Sequence, residues 1–253
     1  MLKGVTSVGF FSELKQREIL YLRGCTAPPK LFLSDKVDRY LIEEYITEEP
    51  ITINNANKQI NNLEIILNAY NDIAKFGKRQ EIPLSDLYGR YCKKLERIKV
   101  KLKNEKATNF IDSYVNELDG LILINHKCYI EIIDVIHGDF NLSKNVLIGG
   151  DGNIRVIDWE HSSLGPSFFD VFYAIVHLKV NKLKKIELIK GAIHCKNKFD
   201  MNHSCMHMHM HICFLLLIIT KLNVLIYKDN LNQNSLKRRI EILNDTYQVL
   251  KAL

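Results

Sequence analysis

The chain has 253 residues, of which 47% are hydrophobic and 25% are charged; this composition excludes a disordered protein and fits one large domain or two lobes. Its six cysteines form no CxxC pair, which argues against a zinc ribbon and a disulfide scaffold, so we expect free thiols and a cytoplasmic location. The longest unbroken apolar run, Ile212–Ile219, is far shorter than the roughly 20 residues of a membrane span, and we interpret it as a buried helix.

The formal net charge of +6 is concentrated in the C-terminal third. Residues 171–253 carry 13 Lys and Arg against 5 Asp and Glu, whereas residues 1–170 carry 22 against 24. Two interpretations remain open: an anionic partner or acceptor, or a solvated helical surface. Nucleic-acid binding is disfavoured, because no RRM, KH or helix-turn-helix signature is present and aromatic residues do not interleave with the basic clusters.

In chain order, the first predicted element is a helix over residues 12–23, with Ser12 as its N-cap and Gly24 at its end. Two short strands are predicted next, at Leu31–Leu33 and Tyr40–Ile46, because a polar, turn-like stretch separates two apolar segments.

The middle of the chain is predicted to be helical. Apolar residues recur with helical spacing over Ala56–Phe76, Leu84–Leu102 and Phe110–Leu123. Residues 51–125 are therefore expected to contain no strands.

From residue 130 the pattern changes to short strands. Ile132–Ile136 is an apolar run, and the β-branched segments Val146–Ile148 and Ile154–Ile157 flank a glycine-rich turn, which predicts a β-hairpin. From Phe168 the spacing is helical to the end of the chain.

Polar side chains at the ends of this hairpin suggest a chemical site. Asp139 follows the apolar run, Asn145 precedes the first hairpin strand, and Asp158 follows the second. A tight hairpin brings Asn145 and Asp158 together, and amide and carboxylate oxygens are hard ligands suited to Mg²⁺. Asp139 is then available to orient a hydroxyl nucleophile, as phosphoryl transfer from a nucleotide requires.

This segment resembles the aminoglycoside phosphotransferase/choline kinase-like family, a branch of the protein-kinase-like fold. About 36 residues carry the resemblance, and its elements occur in the family's order. They are His137-Gly138-Asp139-Phe140, Asn145, Ile157-Asp158-Trp159-Glu160, Gly165-Pro166 and Asp170.

The resemblance implies a role for each matching position. Asp139 is expected to be the catalytic base, and Asn145 and Asp158 are expected to hold Mg²⁺. His137 is expected to be structural, and Asp170 to accept backbone N–H groups of the catalytic loop. One departure is visible: Asn145 lies six residues after Asp139 instead of the family's usual five, and we expect a one-residue bulge to absorb the difference.

The resemblance extends to the N-terminal region with less specific motifs. It implies that backbone groups near Glu44 and Ile46 bind the adenine, that Lys3 binds phosphate, and that Glu18 forms an ion pair with that lysine, with Glu13 as the competing glutamate. There is no room before Lys3 for the two strands and glycine-rich loop that begin a complete small lobe. Either the chain is truncated at its start or it binds nucleotide weakly.

A histidine- and methionine-rich segment at residues 201–213 is the main rival site. His203, His207 and His211 have the i, i+4, i+8 spacing of one helical face, which suits zinc or copper. The alternative, which we favour, is a helix without metal that places polar histidines beside a buried apolar run.

Together these patterns predict an α+β, protein-kinase-like, two-lobed fold. Residues 1–49 would form a reduced or truncated N-terminal lobe and the hinge, and residues 50–253 a mostly helical C-terminal lobe with the catalytic hairpin. The predicted function is Mg²⁺-dependent phosphoryl transfer from ATP or GTP to a hydroxyl of a small molecule. The alternatives are an atypical protein kinase and a pseudokinase that binds a partner.

Overall fold

The computed structural model divides the protein into two compact units. Unit 1 comprises Met1–Arg79 and Ile133–His177, and unit 2 comprises Gln80–Ile132 and Leu178–Leu253. The predicted lobe boundary at residues 49 and 50 lies outside the described residues and stays a prediction. The structure describes residues 2–4, 7–35, 40–43, 67, 70–71, 73–148, 154–197, 203–226 and 233–253.

Unit 1 begins with a three-stranded antiparallel sheet. Its strands are β1 (Leu2–Gly4), β2 (Leu31–Asp35) and β3 (Tyr40–Glu43), and β3 lies in the middle. Lys3 is paired with Leu41 across the sheet. The sequence predicted β2 and β3 but not β1, because three residues are too short to show an alternating pattern.

Helix α1 (Ser7–Leu22) connects β1 to β2. It begins five residues earlier than predicted, so Ser12 lies inside the helix and is not its N-cap. Its end is as predicted, because Gly24 has a φ of 85°, a left-handed conformation that glycine adopts without a steric penalty. The buried guanidinium of Arg17 pairs with Glu13 at 3.4 Å and donates to the carbonyl of Pro29, which anchors the helix to the following turn.

A bidentate ion pair links the end of α1 to strand β5 (Tyr129–Ile136). Arg23 donates to the two carboxylate oxygens of Asp134 at 3.0 and 2.7 Å and to the carbonyl of Phe76 at 2.8 Å. Asp134 also accepts the backbone N–H of Lys78 at 2.8 Å. Partial burial would raise the pKa of Asp134, but these donors hold it below its ordinary value.

Strand β5 is the middle strand of a second sheet, between β4 (Arg79–Pro83) and β8 (Ser163–Pro166). The expectation that residues 51–125 contain no strand is therefore wrong at β4. Most of β4 is exposed and it holds one aliphatic residue, Ile82, so no alternation of polar and apolar residues reveals it.

The predicted hairpin is confirmed. Strands β6 (Val146–Ile148) and β7 (Ile154–Val156) pair antiparallel, with Val146 opposite Val156 and Ile148 opposite Ile154. The second strand ends one residue earlier than predicted, and a short 3₁₀ helix, Trp159–His161, follows it.

The remaining described elements are helices, as predicted for this part of the chain. Asn104 caps the second helix of unit 2 by accepting the N–H of Ala107 at 3.1 Å, so that helix begins before the predicted Phe110. Unit 1 contains α4 (Phe169–Val176), and unit 2 contains α2 (Leu84–Leu102), α3 (Glu105–Ile124), α5 (Lys182–Asn197), α6 (His203–Ile226) and α7 (Gln233–Leu250).

Helix α6 forms the core of unit 2. Its segment Cys205–Ile226 is long and apolar enough to cross a membrane, yet 72% of its most apolar 18-residue window is buried inside the protein, which agrees with the predicted buried helix. Residues 203–213 of the histidine-rich segment form the first turns of this helix, as we favoured. Tyr114 contacts both the ring Nδ1 and the backbone carbonyl of His211, at 3.0 and 3.1 Å, and burial lowers the pKa of His211 to about 3.

A disulfide joins Cys128 and Cys205, so the prediction of free thiols is wrong for these two residues. They are 77 residues apart in sequence and belong to no spacing motif, so sequence alone did not indicate the pair. The bond connects the segment before β5 to the start of α6. The cytoplasmic location stays a prediction.

Reducing the bond between Cys128 and Cys205 should lower the free energy of unfolding by about 2–4 kcal/mol, because a cross-link over a long segment restricts the unfolded chain. Urea unfolding with and without dithiothreitol measures the difference. The double variant Cys128→Ser/Cys205→Ser is the control and should unfold identically in both buffers. Equal unfolding free energies for the reduced and oxidised natural sequence would contradict the prediction.

Candidate active site

The candidate site lies in unit 1, on the loop between β5 and β6, and begins with a glycine that tolerates no side chain. Gly138 has a φ of 82°, and a Cβ atom there would lie 2.3 Å from the backbone carbonyl oxygen of His161. Both the left-handed conformation and the close approach require glycine. The turn of the HGD sequence is thus fixed by backbone packing.

A buried carboxylate holds this turn. Asp170, at the start of α4, accepts the backbone N–H groups of His137 at 2.7 Å and Gly138 at 2.9 Å. Burial raises the pKa of Asp170 to about 6, the two hydrogen bonds oppose that rise, and the negative charge of Asp139 adds to it. Above pH 6 the carboxylate is ionised, and each of its oxygens holds one peptide of the loop.

His137 connects the two halves of the site. Its ring Nε2 is 2.8 Å from the carbonyl of Ile157 and its Nδ1 accepts the N–H of Asp139 at 3.3 Å, which assigns the proton of the neutral ring to Nε2. Burial lowers the pKa of His137 to about 4, so the ring stays neutral at physiological pH. The ring also meets the edge of Trp159, with centroids 4.8 Å apart.

The extra residue between Asp139 and Asn145 is accommodated in a helical turn, not in the bulge that we expected. The N–H groups of Lys144 and Asn145 donate to the carbonyl of Asn141 at 3.1 and 2.7 Å. The side-chain oxygen of Asn141 caps this turn by accepting the N–H of Ser143 at 3.1 Å. One tight turn thus brings Asn145 back towards Asp139.

The side chains of Asp139 and Asn145 are in direct contact. The amide nitrogen of Asn145 donates to the backbone carbonyl of Asp139 at 2.7 Å and to its carboxylate oxygen Oδ2 at 3.2 Å. Since both partners are acceptors, the orientation of the amide is determined: its nitrogen faces Asp139. Tyr173 donates its hydroxyl hydrogen to the other carboxylate oxygen, Oδ1.

Asp158 follows β7 in an unusual backbone conformation. Its φ and ψ are 66° and 60°, the left-handed region that asparagine and aspartate tolerate better than most residues. The N–H of Ile157 donates to the carbonyl of Asn145 at 2.9 Å, which aligns the residue before Asp158 with Asn145 across the hairpin. Trp159 locks the next turn by donating its ring N–H to the carbonyl of Val156 at 2.7 Å.

The donor chemistry of Asn145 and Asp158 fits magnesium. Because the amide nitrogen of Asn145 faces Asp139, its hard side-chain carbonyl oxygen is the atom left to contribute to a cation, and Asp158 supplies a carboxylate, the other kind of oxygen ligand that magnesium prefers. Within the described part of the chain, no group of three or more His, Cys, Asp or Glu side chains could hold a metal ion. Magnesium does not need such a group, because it is commonly bound by one or two side chains together with substrate phosphates and water.

The residues predicted to bind nucleotide are only partly described. Lys3 lies in β1, Glu18 is exposed on α1, and Glu13 is buried in the ion pair with Arg17. Glu44 and Ile46 lie outside the described residues. Of the two competing glutamates, Glu13 is therefore the one that faces the interior of unit 1.

Two site residues were not identified from the sequence. Asn141 caps the turn before Asn145, and Tyr173 contacts Asp139 from α4. Helical spacing offered a signal for Tyr173, since it lies three residues after Asp170 and hence on the same face of a helix. For Asn141 the signal was the frequent role of asparagine as a cap.

No protein-family model and no curated protein matches the chain, but solved structures share its fold. The choline kinase LicA from Streptococcus pneumoniae is similar with a TM-score of 0.62 and 15% identity, over 96% of this chain and 85% of that chain. A choline/ethanolamine kinase family protein from Mesorhizobium loti is similar with a TM-score of 0.60 and 12% identity, over 96% of this chain and 83% of that chain. A thermostable mutant of aminoglycoside phosphotransferase APH(4)-Ia is similar with a TM-score of 0.61 and 12% identity, over 95% of this chain and 84% of that chain. The predicted kinase-like α+β fold is confirmed.

Substituting Gly138 by alanine should destabilise the protein by roughly 1–3 kcal/mol, because the left-handed backbone and the contact with the His161 carbonyl both oppose a Cβ atom. Chemical unfolding measures the loss. Gly89→Ala is the matched control, since its added Cβ meets nothing within 4 Å and alanine favours the helix. A Gly138→Ala protein as stable as the control would refute this account of the turn.

The free energy of unfolding of the natural sequence should exceed that of a His137→Gln variant, and this difference should decrease by roughly 1–3 kcal/mol as the pH falls from 7.5 to 4.5. The pKa of His137 is about 4 in the folded protein against an ordinary 6.5, so between these values the unfolded chain binds a proton that the folded protein excludes. Stability is therefore lost on acidification. Urea unfolding at both pH values gives the difference.

Protonation of Asp170 has the opposite effect on the free energy of unfolding, in an overlapping pH range. The pKa of Asp170 is about 6 in the folded protein, above the ordinary 3.8, so between these values the folded protein binds a proton that the unfolded chain does not, and stability is gained on acidification. Its contribution is present in both proteins and cancels in the comparison. A difference between natural sequence and variant that is independent of pH would contradict the assignment of a neutral, buried ring.

Proposed function

We propose that the protein is a Mg²⁺-dependent phosphotransferase that moves the terminal phosphoryl group of ATP or GTP to a hydroxyl of a small molecule. The observation that carries this proposal is the contact between Asp139 and Asn145, at 2.7 and 3.2 Å from the amide nitrogen. The contact places the carboxylate of Asp139, which can accept the proton of a hydroxyl group, next to the side chain of Asn145, whose amide oxygen can bind magnesium. The shared fold of small-molecule kinases supports it.

Asp139 is proposed to orient the acceptor hydroxyl and accept its proton. Its carboxylate is partly exposed, and each oxygen has a second lone pair beyond the one that meets Tyr173 or Asn145. A hydroxyl can therefore donate to Asp139 without displacing either neighbour. Positioning of this kind is the main protein contribution to phosphoryl transfer, whose transition state is loose.

Asn145 and Asp158 are proposed to hold Mg²⁺, through the amide oxygen and the carboxylate. When bound, the cation would neutralise negative charge on the transferred phosphoryl group. The protein's own contribution is to fix both ligands: the capped turn at Asn141 positions Asn145, and His137 holds the carbonyl of Ile157 beside Asp158.

The nucleotide is proposed to lie against the first sheet of unit 1. Lys3 would bind phosphate, and the backbone near Glu44 and Ile46 would bind the base. Glu18 is the proposed acidic partner of Lys3, since the carboxylate of the competing Glu13 already pairs with Arg17 at 3.4 Å. Structures of similar proteins contain ADP together with hygromycin B, and AMP.

The acceptor is proposed to be a small alcohol. Choline and hygromycin B are cationic, whereas the basic C-terminal third of this chain favours an anionic acceptor. Choline, ethanolamine, hygromycin B and glycerate therefore form a panel that covers both charge classes.

Asp139→Asn should lower phosphoryl transfer by about 10²–10⁴-fold and leave nucleotide binding nearly unchanged, because Asp139 contacts the acceptor. Asp158→Asn should instead weaken binding of Mg·ATP, because it removes charge from the metal site. Transfer to the panel is measured by ³¹P NMR and nucleotide affinity by calorimetry, with and without Mg²⁺. Asp86→Asn, an exposed acid of α2, is the control and should match the natural sequence.

Three outcomes separate the alternatives. Transfer to a protein substrate but to no small alcohol would favour the atypical protein kinase. Absence of all transfer and of Mg-dependent nucleotide binding would favour the pseudokinase. If both active-site variants match the natural sequence in both assays, the proposed site is wrong.

A further inference from the structure

We infer that Tyr173 is a positioning residue that fixes the carboxylate of Asp139 for transfer to the acceptor; the inference rests on the function proposed above. The hydroxyl of Tyr173 donates to Oδ1 of Asp139, and the tyrosine is only 2% exposed. A hydrogen bond from a buried donor to a carboxylate is among the stronger ones in proteins. The sequence motif contains no such donor.

The geometry of α4 explains why this tyrosine reaches the catalytic loop. Asp170 and Tyr173 are three residues apart and share one helical face. Asp170 holds the backbone of the loop through His137 and Gly138, whereas Tyr173 holds the side chain of Asp139. A single turn of helix thus controls both where the loop lies and how its carboxylate is rotated.

The ring of Tyr173 is itself immobilised. It stacks on the ring of His177, with ring centroids 4.1 Å apart and an angle of 17° between the ring planes. On its other neighbour, Phe169, the two ring centroids are 5.8 Å apart. The imidazole Nδ1 of His177 is 2.7 Å from the carbonyl of Tyr173, which fixes the stacked ring against the end of the helix. The hydroxyl of Tyr173 therefore has a defined position.

Two donors from different elements restrain the carboxylate. Oδ1 of Asp139 accepts from Tyr173 and Oδ2 accepts from Asn145 at 3.2 Å, so rotation about the bond to the carboxylate would break both contacts. Asn145 is also a proposed metal ligand, and its substitution would disturb nucleotide binding. Of these two donors, Tyr173 acts on the base without that second role.

The consequence is specific to acceptor positioning. A carboxylate that rotates freely orients the acceptor hydroxyl less well, while Mg·ATP still binds. We therefore expect the loss of the tyrosine hydroxyl to reduce kcat for acceptor phosphorylation, leave KM for ATP unchanged, and raise the ratio of ATP hydrolysis to acceptor phosphorylation.

Tyr173→Phe tests this, because it removes the hydroxyl and keeps the ring. With Mg·ATP and the panel acceptor that the natural sequence phosphorylates fastest, kcat should fall about 10- to 100-fold, the usual worth of a hydrogen bond to a charged group. Tyr114→Phe is the matched control. It removes a buried tyrosine hydroxyl that contacts His211 in unit 2, and it should leave kcat unchanged.

A double-mutant cycle with Asp139→Asn separates positioning from a structural role. If Tyr173 acts through the carboxylate, Tyr173→Phe should change kcat less than about twofold in the Asp139→Asn background. An equal loss in both backgrounds would show that Tyr173 only stabilises the fold and would overturn the inference. The same conclusion follows if Tyr173→Phe matches the natural sequence in kcat and in the ratio of hydrolysis to transfer.

Failure of this inference differs from failure of the proposed function. If the natural sequence phosphorylates a panel acceptor and Tyr173→Phe does so equally well, only the role of Tyr173 is refuted. If the natural sequence phosphorylates none of them, the phosphotransferase proposal and the role of Tyr173 are both refuted.

Discussion

The arrangement of the candidate site depends on one buried interaction, the carboxylate of Asp170 accepting two consecutive backbone N–H groups. The loop it holds cannot form a helix or strand ladder there, because Gly138 is left-handed and lies against a carbonyl of the 3₁₀ helix. Without Asp170 the N–H groups of His137 and Gly138 would be buried with no acceptor. A buried unsatisfied donor destabilises a protein by more than an ordinary hydrogen bond stabilises it. The positions of the next residues along the chain, from Asp139 to Asn145, therefore depend on this fixed turn.

His137 extends the same restraint across the hairpin. The neutral imidazole accepts from the N–H of Asp139 with one nitrogen and donates to the carbonyl of Ile157, the residue before Asp158, with the other. A charged imidazole would present a second donor to the N–H of Asp139, so burial and hydrogen-bond geometry both favour the neutral form. The motif's histidine thus acts by linking two backbones, and its ring carries no charge into the site.

Elements with a local signal were predictable from the sequence, and contacts between distant residues were not. The hairpin at residues 146–156 is encoded by β-branched runs around a glycine-rich turn, and the end of α1 by Gly24. Strand β4 lacks alternating residues and forms because β5 offers a partner. The disulfide of Cys128 depends on tertiary proximity. For the site, the motif predicted the residue types and their order, whereas the orientation of the Asn145 amide depends on the tertiary contact with Asp139.

The ion pair between Arg23 and Asp134 has a consequence for synthesis of the chain. Its partners are 111 residues apart, and the intervening segment includes α2 and α3, which belong to unit 2. At the usual rates of translation, the charged end of α1 leaves the ribosome on the order of ten seconds before its carboxylate partner is made. Unit 1 is therefore a discontinuous folding unit of high contact order, completed only after much of unit 2 has been synthesised.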